Sequence, residues 1–158
     1  MTDFDLSKFP TSDSPPSEVI KRETDRMLDE VLLTLKLERS VIFVKPEGLW
    51  LVASAHEVPT KDFWNIAPIS LSVVQSAASG ETVHLVDAGL SDKFGSQDSV
   101  ILTGIRSVAC APSLDSSGQV RGLIYADNRI ERGAFSPDDV GTLQELAMEM
   151  SRRLFDLS

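Results

Sequence analysis

The stretch from residue 104 to residue 129 constrains the fold of this chain more than any other part of the sequence. Two apolar runs, RSVACAPSL and VRGLIYADN, are separated by Asp115-Ser116-Ser117-Gly118, residues that favour a tight turn. Strands joined by a tight turn are antiparallel neighbours, so the pattern predicts a β-hairpin. Both alternating sets of positions in each run hold apolar or small residues, which indicates strands buried on both faces. We therefore expect a sheet with a covering layer on each side.

Helices predicted at both ends of the chain can form one of these layers. From Ser17 onward, apolar residues recur three and four positions apart and share one face of a helix of about five turns. They are Ile20, Met27, Leu28, Val31, Leu32 and Leu35. Near the other end, Ser136 offers a capping side chain and Pro137 suits the first helical position. Asp138 and Asp139 suit the first turn, so a strong helix is predicted there.

The second of these helices carries an apolar seam that predicts a helix partner. The apolar residues alternate at spacings of three and four, which is the register of a coiled coil. They are Val140, Leu143, Ala147, Met150, Leu154 and Leu157. In the first helix, leucines from Leu28 to Leu37 add more apolar surface than one sheet-facing stripe needs. We therefore expect a homodimer formed through the N- and C-terminal helices.

The middle of the chain predicts further strands and short helices. SVIFVK and LWLVASA flank Pro46-Glu47-Gly48 and predict a second β-hairpin. Residues 56–69 lack a clear period and are expected to form a loop or short helix over the core. A short helix is predicted between Ser70 and Gly80, and TVHLV at 82–86 predicts a strand. The order of these elements makes the fold class α+β.

Composition and charge exclude several classes of function. The chain has 158 residues, 42% of them hydrophobic, which suits one domain with its own core. Its formal net charge of -9 disfavours nucleic acid and anionic membrane surfaces as partners. No apolar stretch is long enough to span a membrane and no secretory signal is evident, so we expect a cytoplasmic protein. Residues 1–17 are polar, contain three prolines and are expected to form a flexible tail or linker.

Several short motifs, taken in order, resemble the GAF domain family. They are Gly104–Val108, Pro112, Gly122–Asn128 and Phe135-Ser136 ahead of Asp138-Asp139, with Gly80–Val83 and Asp87-Ala88 upstream. The resemblance extends over roughly residues 18–156 and is closest to bacterial GAF domains joined to forkhead-associated, histidine kinase, cyclase or enhancer-binding activator modules. The resemblance implies that residues 18–158 form a GAF domain. The implied fold is a central sheet of about five or six antiparallel strands, with the terminal helices on one face and a ligand cavity on the other.

The resemblance implies a non-catalytic sensory or regulatory domain in bacterial signal transduction. Such a domain binds a small molecule or a neighbouring module and relays the event through its terminal helices. We expect any ligand cavity between the sheet and residues 62–103. The candidate lining residues are Trp64, Phe94, Val100, Leu102 and Arg106. Trp64 is equally expected to be a core residue, and Arg106 is expected to hold the start of a strand through a salt bridge in preference to binding an anionic ligand.

Two rival functions belong to different classes. Some GAF proteins reduce free methionine sulfoxide with several cysteines, whereas this chain has one, Cys110, in the middle of a predicted strand. A lone buried cysteine is expected to act as a small hydrophobic residue. The other rival is a structural dimerisation module, in which large side chains such as Trp64, Phe94 and Tyr125 fill the cavity.

The remaining candidate sites favour structural roles. Asn128-Arg129, Phe135 and Asp139 resemble part of the NKFDE signature of cyclic-nucleotide-binding GAF domains, in which a lysine and an aspartate form a lock. The resemblance implies that Arg129 pairs with Asp139 or lies as plain surface charge, in preference to a nucleotide site. His56 and His84 lack metal-ligand spacing, so no metal or cofactor is expected. No catalytic motif such as a phosphate loop or a nucleophile elbow occurs in the sequence.

Overall fold

An open antiparallel sheet forms the centre of the computed structural model, which describes residues 9–85, 105, 107–130 and 134–155. Within these residues the chain forms α1 (Glu18–Thr34), β1 (Arg39–Val44), β2 (Leu51–His56), α2 (Phe63–Ile66), α3 (Leu71–Ala78), β3 (Val83–Leu85), β4 (Ser107–Leu114), β5 (Val120–Asn128) and α4 (Pro137–Leu154). The five described strands lie in the order β2-β1-β5-β4-β3, and each adjacent pair is antiparallel. The α+β class is confirmed.

Local signals in the sequence fix where the helices begin. The Ser17 side chain accepts a hydrogen bond from the Ile20 N–H and so caps α1. At α4, Ser136 and Asp139 form a reciprocal capping box, in which each side chain accepts from the other residue's backbone N–H. The predicted cap at Ser70 is also present, because its hydroxyl accepts from Val73 N–H.

The terminal helices cover one face of the sheet, as predicted. Leu143, Ala147 and Met150 of α4 are buried against small and aliphatic residues of β4 and β5. The central part of the predicted heptad seam therefore faces the sheet in this chain. At Gly122 a Cβ atom would lie 2.7 Å from Met150 Cε, so a larger residue there would require the Met150 side chain to move.

Buried hydroxyl groups tie both terminal helices to the sheet. Ser54 Oγ of β2 lies 2.8 Å from Thr24 Oγ1 of α1. Ser113 of β4 donates a hydrogen bond of 2.8 Å to the Ala147 carbonyl of α4 and also contacts the Ser151 hydroxyl. These bonds satisfy polar groups inside a layer that is otherwise apolar. They also fix the position of each helix along its strand.

Residues 9–12 differ from the flexible tail that the sequence predicts. Phe9 is 3% exposed, and Thr11 forms an isolated parallel bridge with Trp50, the residue before β2. A single aromatic side chain in a polar, proline-containing stretch produces no periodic signal, although its burial removes a large apolar area from water. Part of the predicted tail is therefore packed on the domain.

None of the helices in the described part of the chain is both long enough and apolar enough to cross a membrane.

The structure gives Arg129 a different partner from the one implied by the sequence resemblance. Arg129 Nη2 lies 2.6 Å from Glu38 Oε2, while the Asp139 carboxylate caps α4. The expected Arg129–Asp139 lock is therefore wrong, because Asp139 is engaged by the Ser136 backbone. The pair that forms instead joins the end of β5 to the residue before β1.

Replacing Glu38 by Gln should lower the free energy of unfolding by up to about 1 kcal/mol at pH 7. The Arg129 hydrogen bond lowers the pKa of Glu38 from 4.5 to about 2. A pKa lowered by folding gives stability that is complete above the unfolded value and is lost as the pH falls through the folded value. The difference between wild type and variant should therefore shrink between about pH 4.5 and pH 2.

Urea unfolding at a series of pH values measures this difference. Asp29→Asn, which alters an exposed carboxylate on α1, serves as the control. A Glu38→Gln effect that is the same at pH 7 and pH 2 would show that the ion pair is not its cause.

Candidate functional site

The predicted ligand-lining residues are divided between the described and undescribed parts of the chain. Trp64 lies in α2 and is 7% exposed. Phe94, Val100, Leu102 and Arg106 lie outside the described residues. Their position in one cavity with Trp64 stays a prediction. The candidate site consists of the described residues on the α2–α3 side of the sheet.

Five aromatic rings form a continuous cluster at the α2 end of this face. Phe9, Phe43, Trp50, Phe63 and Trp64 make up this aromatic cluster, with neighbouring ring centroids 5.0 to 5.9 Å apart. All five side chains are buried, and the Trp64 indole N–H donates a 3.1 Å hydrogen bond to the Ser12 carbonyl. The rings fill the space beneath α2. Trp64 thus acts as a core residue, while its edge borders a surface cleft.

That cleft lies at the outer edge of β2 rather than over the centre of the sheet. Its volume is about 410 Å³. Residues 12–16 form one wall, residues 52–55 of β2 form another, and Phe63 and Trp64 close one end. Serine hydroxyls and the Lys21 ammonium also border it, so the cleft presents both polar and apolar groups.

A buried polar cluster occupies the other end of the same face. Arg39 of β1 and Asp127 of β5 are cross-strand partners, and the guanidinium binds both carboxylate oxygens at 2.7 Å. Arg39 also donates to the Pro68 carbonyl in the segment before α3. The Tyr125 hydroxyl donates to Asp127 and accepts a hydrogen bond from Ser70 N–H. The cluster thus connects two central strands to the start of α3.

Burial dominates the electrostatics of this cluster. Asp127 and Tyr125 have no exposed surface, and Arg39 is 4% exposed. Burial raises the pKa of Asp127, while Arg39 and Tyr125 act in the opposite direction. The pKa of Tyr125 is raised well above its usual value by burial and by the neighbouring Asp127 charge. The bidentate pair compensates a charge that would be very costly to bury alone.

Sequence reasoning did not identify this cluster, although a signal was present. Arg39 lies two positions before Val41 on β1, and Asp127 lies two positions after Tyr125 on β5, so each charge shares a face with a buried neighbour. Both strands are buried on both faces. A charge on such a strand requires a partner of opposite sign on a neighbouring strand. Nothing in the sequence indicates which of the acidic residues, 88 positions away in this case, is that partner.

Cys110 lies in the centre of β4 and faces the same side as the aromatic cluster. It pairs with Val83 and Tyr125 on the flanking strands and has no exposed surface. Burial raises the pKa of its thiol well above the usual range. A thiol in this state is a poor nucleophile, because the thiolate is the reactive form.

The two histidines lie in separate parts of the structure. His56 ends β2, whereas His84 lies on β3 with Nε2 2.9 Å from the Phe135 carbonyl. Among the described residues no three His, Cys, Asp or Glu side chains are grouped so as to hold a metal ion.

Replacing Asp127 by Asn should destabilise the fold by about 3–5 kcal/mol, because it leaves the Arg39 charge buried without a counter-charge. Replacing Arg39 by Met leaves Asp127 in the same position and should have a similar effect. The double variant Arg39→Met/Asp127→Asn should lose far less than the sum of the two single losses. Urea denaturation of the four proteins measures this coupling. Strict additivity would show that the two side chains stabilise the fold independently.

Comparisons with known proteins agree with this architecture. The GAF domain family model matches residues 21–154. No curated protein matches this sequence. Among solved structures, the GAF domain from an Acinetobacter phosphoenolpyruvate-protein phosphotransferase is 17% identical, with a TM-score of 0.65 over 87% of this chain and 83% of that chain.

Two other solved structures show the range of proteins with this fold. A type II free methionine-R-sulfoxide reductase from Thermoplasma acidophilum is 15% identical, with a TM-score of 0.63 over 88% of this chain and 96% of that chain. The GAF domain of a two-component sensor histidine kinase from Bacillus halodurans is 12% identical, with a TM-score of 0.57 over 83% of this chain and 90% of that chain. At these identities the likeness shows the fold alone. Because the family model covers most of its length, the chain belongs to the GAF domain family.

Proposed function

We propose that this GAF domain is a non-catalytic sensory domain that binds a small molecule or a neighbouring module on the α2–α3 side and relays the event through α1 and α4. The observation that carries the proposal is the set of buried hydroxyl contacts that join the sheet to both terminal helices. Ser54 contacts α1 through Thr24, and Ser113 contacts α4 through Ala147 and Ser151. The setting we propose is the cytoplasm of a bacterial cell.

Strand β4 provides a direct route between the two sides of the sheet. Val108 and Cys110 face the α2–α3 side, whereas Ala109 and Ala111 face the terminal helices. Further along the strand, Ser113 is hydrogen-bonded to α4. Packed layers resist continuous deformation, so a shift of α3 against β4 is transmitted to the helix on the other face.

The ligand site that we propose lies between the sheet and residues 62–103. Its candidate lining is Trp64, Phe94, Val100, Leu102 and Arg106. Concave sites with apolar walls and a few polar groups suit small-molecule recognition. The buried polar cluster and the aromatic cluster would hold the described part of this face in place at its two ends.

The environment of Cys110 argues against the reductase alternative. The solved methionine sulfoxide reductase shares the fold, but reduction of a sulfoxide by thiols needs a reactive thiolate and a second thiol to form a disulfide. This chain has one cysteine, and burial raises its thiol pKa. The proposal therefore assigns Cys110 to the core.

We also propose a homodimer formed through the terminal helices. The central residues of the predicted seam are buried against the sheet, so the interface needs other apolar residues. Leu33 of α1 is 85% exposed and Met148 of α4 is 59% exposed. Apolar side chains of this size on the two outer helices suit a helical interface between two copies.

Native mass spectrometry of protein purified from its own organism tests the binding and dimer proposals together. We expect a dimer mass that exceeds twice the chain mass by that of a bound small molecule. Leu33→Glu should yield monomers, because it places a charge on the exposed apolar surface of α1 that the proposed interface uses. Ile130→Glu, at a residue that is 80% exposed and lies beyond β5, is the matched control and should remain dimeric. A wild-type monomer with no added mass would contradict the dimer and the small-molecule site.

Thiol labelling and an activity assay test the non-catalytic assignment. A thiol reagent should modify Cys110 slowly in native protein and rapidly in denaturant, because the side chain is fully buried. Purified protein should not turn over free methionine-R-sulfoxide. Turnover that disappears in a Cys110→Ser variant with an unchanged unfolding midpoint would show that the protein is an enzyme.

A further inference from the structure

The connection between α2 and α3 contains a backbone conformation that its residues do not favour. Ala67, the residue after α2, has a φ of 52° and a ψ of 64°, in the left-handed region. A residue with a Cβ atom reaches this region only at a cost, and glycine is its usual occupant. Pro68 comes next, and a residue that precedes proline favours extended conformations. The Ala67–Pro68 turn is therefore strained for two separate reasons.

The same strain occurs on the other side of α2. Within the described residues, the non-glycine residues with a positive φ are Glu57, Asp62 and Ala67. Asp62 precedes α2 and Ala67 follows it, so the chain enters and leaves this four-residue helix through left-handed positions. Strain of this kind persists only where the surrounding structure holds the backbone in place.

Buried side chains hold the chain on both sides of the Ala67–Pro68 turn. On the α2 side, Phe63 and Trp64 are buried in the aromatic cluster, and the Ala67 N–H donates a 2.8 Å hydrogen bond to the Phe63 carbonyl. On the α3 side, Ile69 has no exposed surface. The turn thus joins two anchored points that are only a few residues apart.

The central sheet holds the turn itself through the buried polar cluster. Arg39 donates from Nη1 to the Pro68 carbonyl at 3.0 Å, while its Nε and Nη2 bind the Asp127 carboxylate. The Tyr125 hydroxyl accepts a 3.4 Å hydrogen bond from the Ser70 N–H. The planar fork of an arginine can make three such bonds in fixed directions, whereas a lysine ammonium is a single point charge. The pair with Asp127 therefore directs the remaining N–H of Arg39 at the turn.

We propose that the Arg39–Asp127 pair is a latch that holds the Ala67–Pro68 turn in its strained conformation and so sets the position of α3 relative to α2. When the bond to the Pro68 carbonyl is lost, the turn relaxes toward an extended conformation and the start of α3 moves relative to α2. The latch acts without a ligand, so the inference goes beyond the proposed function and its test does not depend on ligand binding.

The sign of φ at residue 67 tests the latch directly. Replacing Arg39 by Lys keeps a positive charge beside Asp127 and removes the donor to Pro68. One-bond Cα–Hα couplings in NMR spectra report the sign of φ. We expect a positive φ at Ala67 in the wild type and a negative φ in the Arg39→Lys protein. A folded Arg39→Lys protein in which Ala67 keeps its positive φ would overturn the proposal.

Stability measured by urea unfolding gives an independent test. In the wild type, Ala67→Gly should raise the folding equilibrium constant about three-fold, because glycine relieves the left-handed strain. In the Arg39→Lys background this gain should disappear, because the turn has already relaxed. Ala78→Gly, at the helical end of α3, is the matched control and should lower the constant in both backgrounds.

The size of the glycine effect in the two backgrounds is decisive. An Ala67→Gly gain that is equal in both would overturn the proposal. If Arg39→Lys does not fold, the same cycle is measured with Tyr125→Phe, which keeps the ion pair and removes the acceptor for the Ser70 N–H. The Ala67→Gly gain should then be smaller than in the wild type, and an undiminished gain would overturn the proposal.

Discussion

Both faces of the central strands are buried, and this constraint determines where every polar group of the sheet must find a partner. Within the described residues no buried side-chain nitrogen or oxygen lacks a hydrogen bond. On the helix side, the partners are hydroxyl groups that join Ser54 and Ser113 to α1 and α4. On the α2–α3 side, the Arg39–Asp127 pair and the Tyr125 hydroxyl fulfil the same requirement. Several bonds that satisfy the sheet also connect its layers, because Thr24 and Ala147 lie in the terminal helices and Pro68 lies before α3.

This arrangement relates the fold to the proposed relay. Hydrogen bonds at Thr24 and Ala147 add directional contacts to the apolar packing and fix the register of each helix on the sheet. The close contact between Gly122 and Met150 adds a steric constraint at the same interface. The GAF domains of a sensor histidine kinase and of a phosphotransferase share this architecture.

The sequence predicts features that depend on neighbouring residues and fails where distant residues meet. Ser17, Ser70 and Ser136 mark helix starts because a cap acts within one turn, and the β4–β5 hairpin follows from its own turn. The apolar residues of α4 do form a stripe along one face of the helix. Such a stripe can pack on a sheet of small residues as well as on another helix, so the pattern alone does not identify its partner. The family resemblance paired Arg129 with Asp139 or left it as surface charge, whereas the structure pairs it with Glu38, which is 91 positions away and carries no local signal. The packing of Phe9 left no periodic signal at all.

The central claim is that a change on the α2–α3 face reaches α4 through β4. Amide chemical shifts in ¹H–¹⁵N spectra test it most directly. Val73→Ala removes buried side-chain volume from α3, which packs on β4. The account predicts shift changes at Ala147 and Ser151 in α4, and their loss when Ser113→Ala is added. Shift changes confined to α3 and the strands beneath it, with α4 unaffected, would contradict the account.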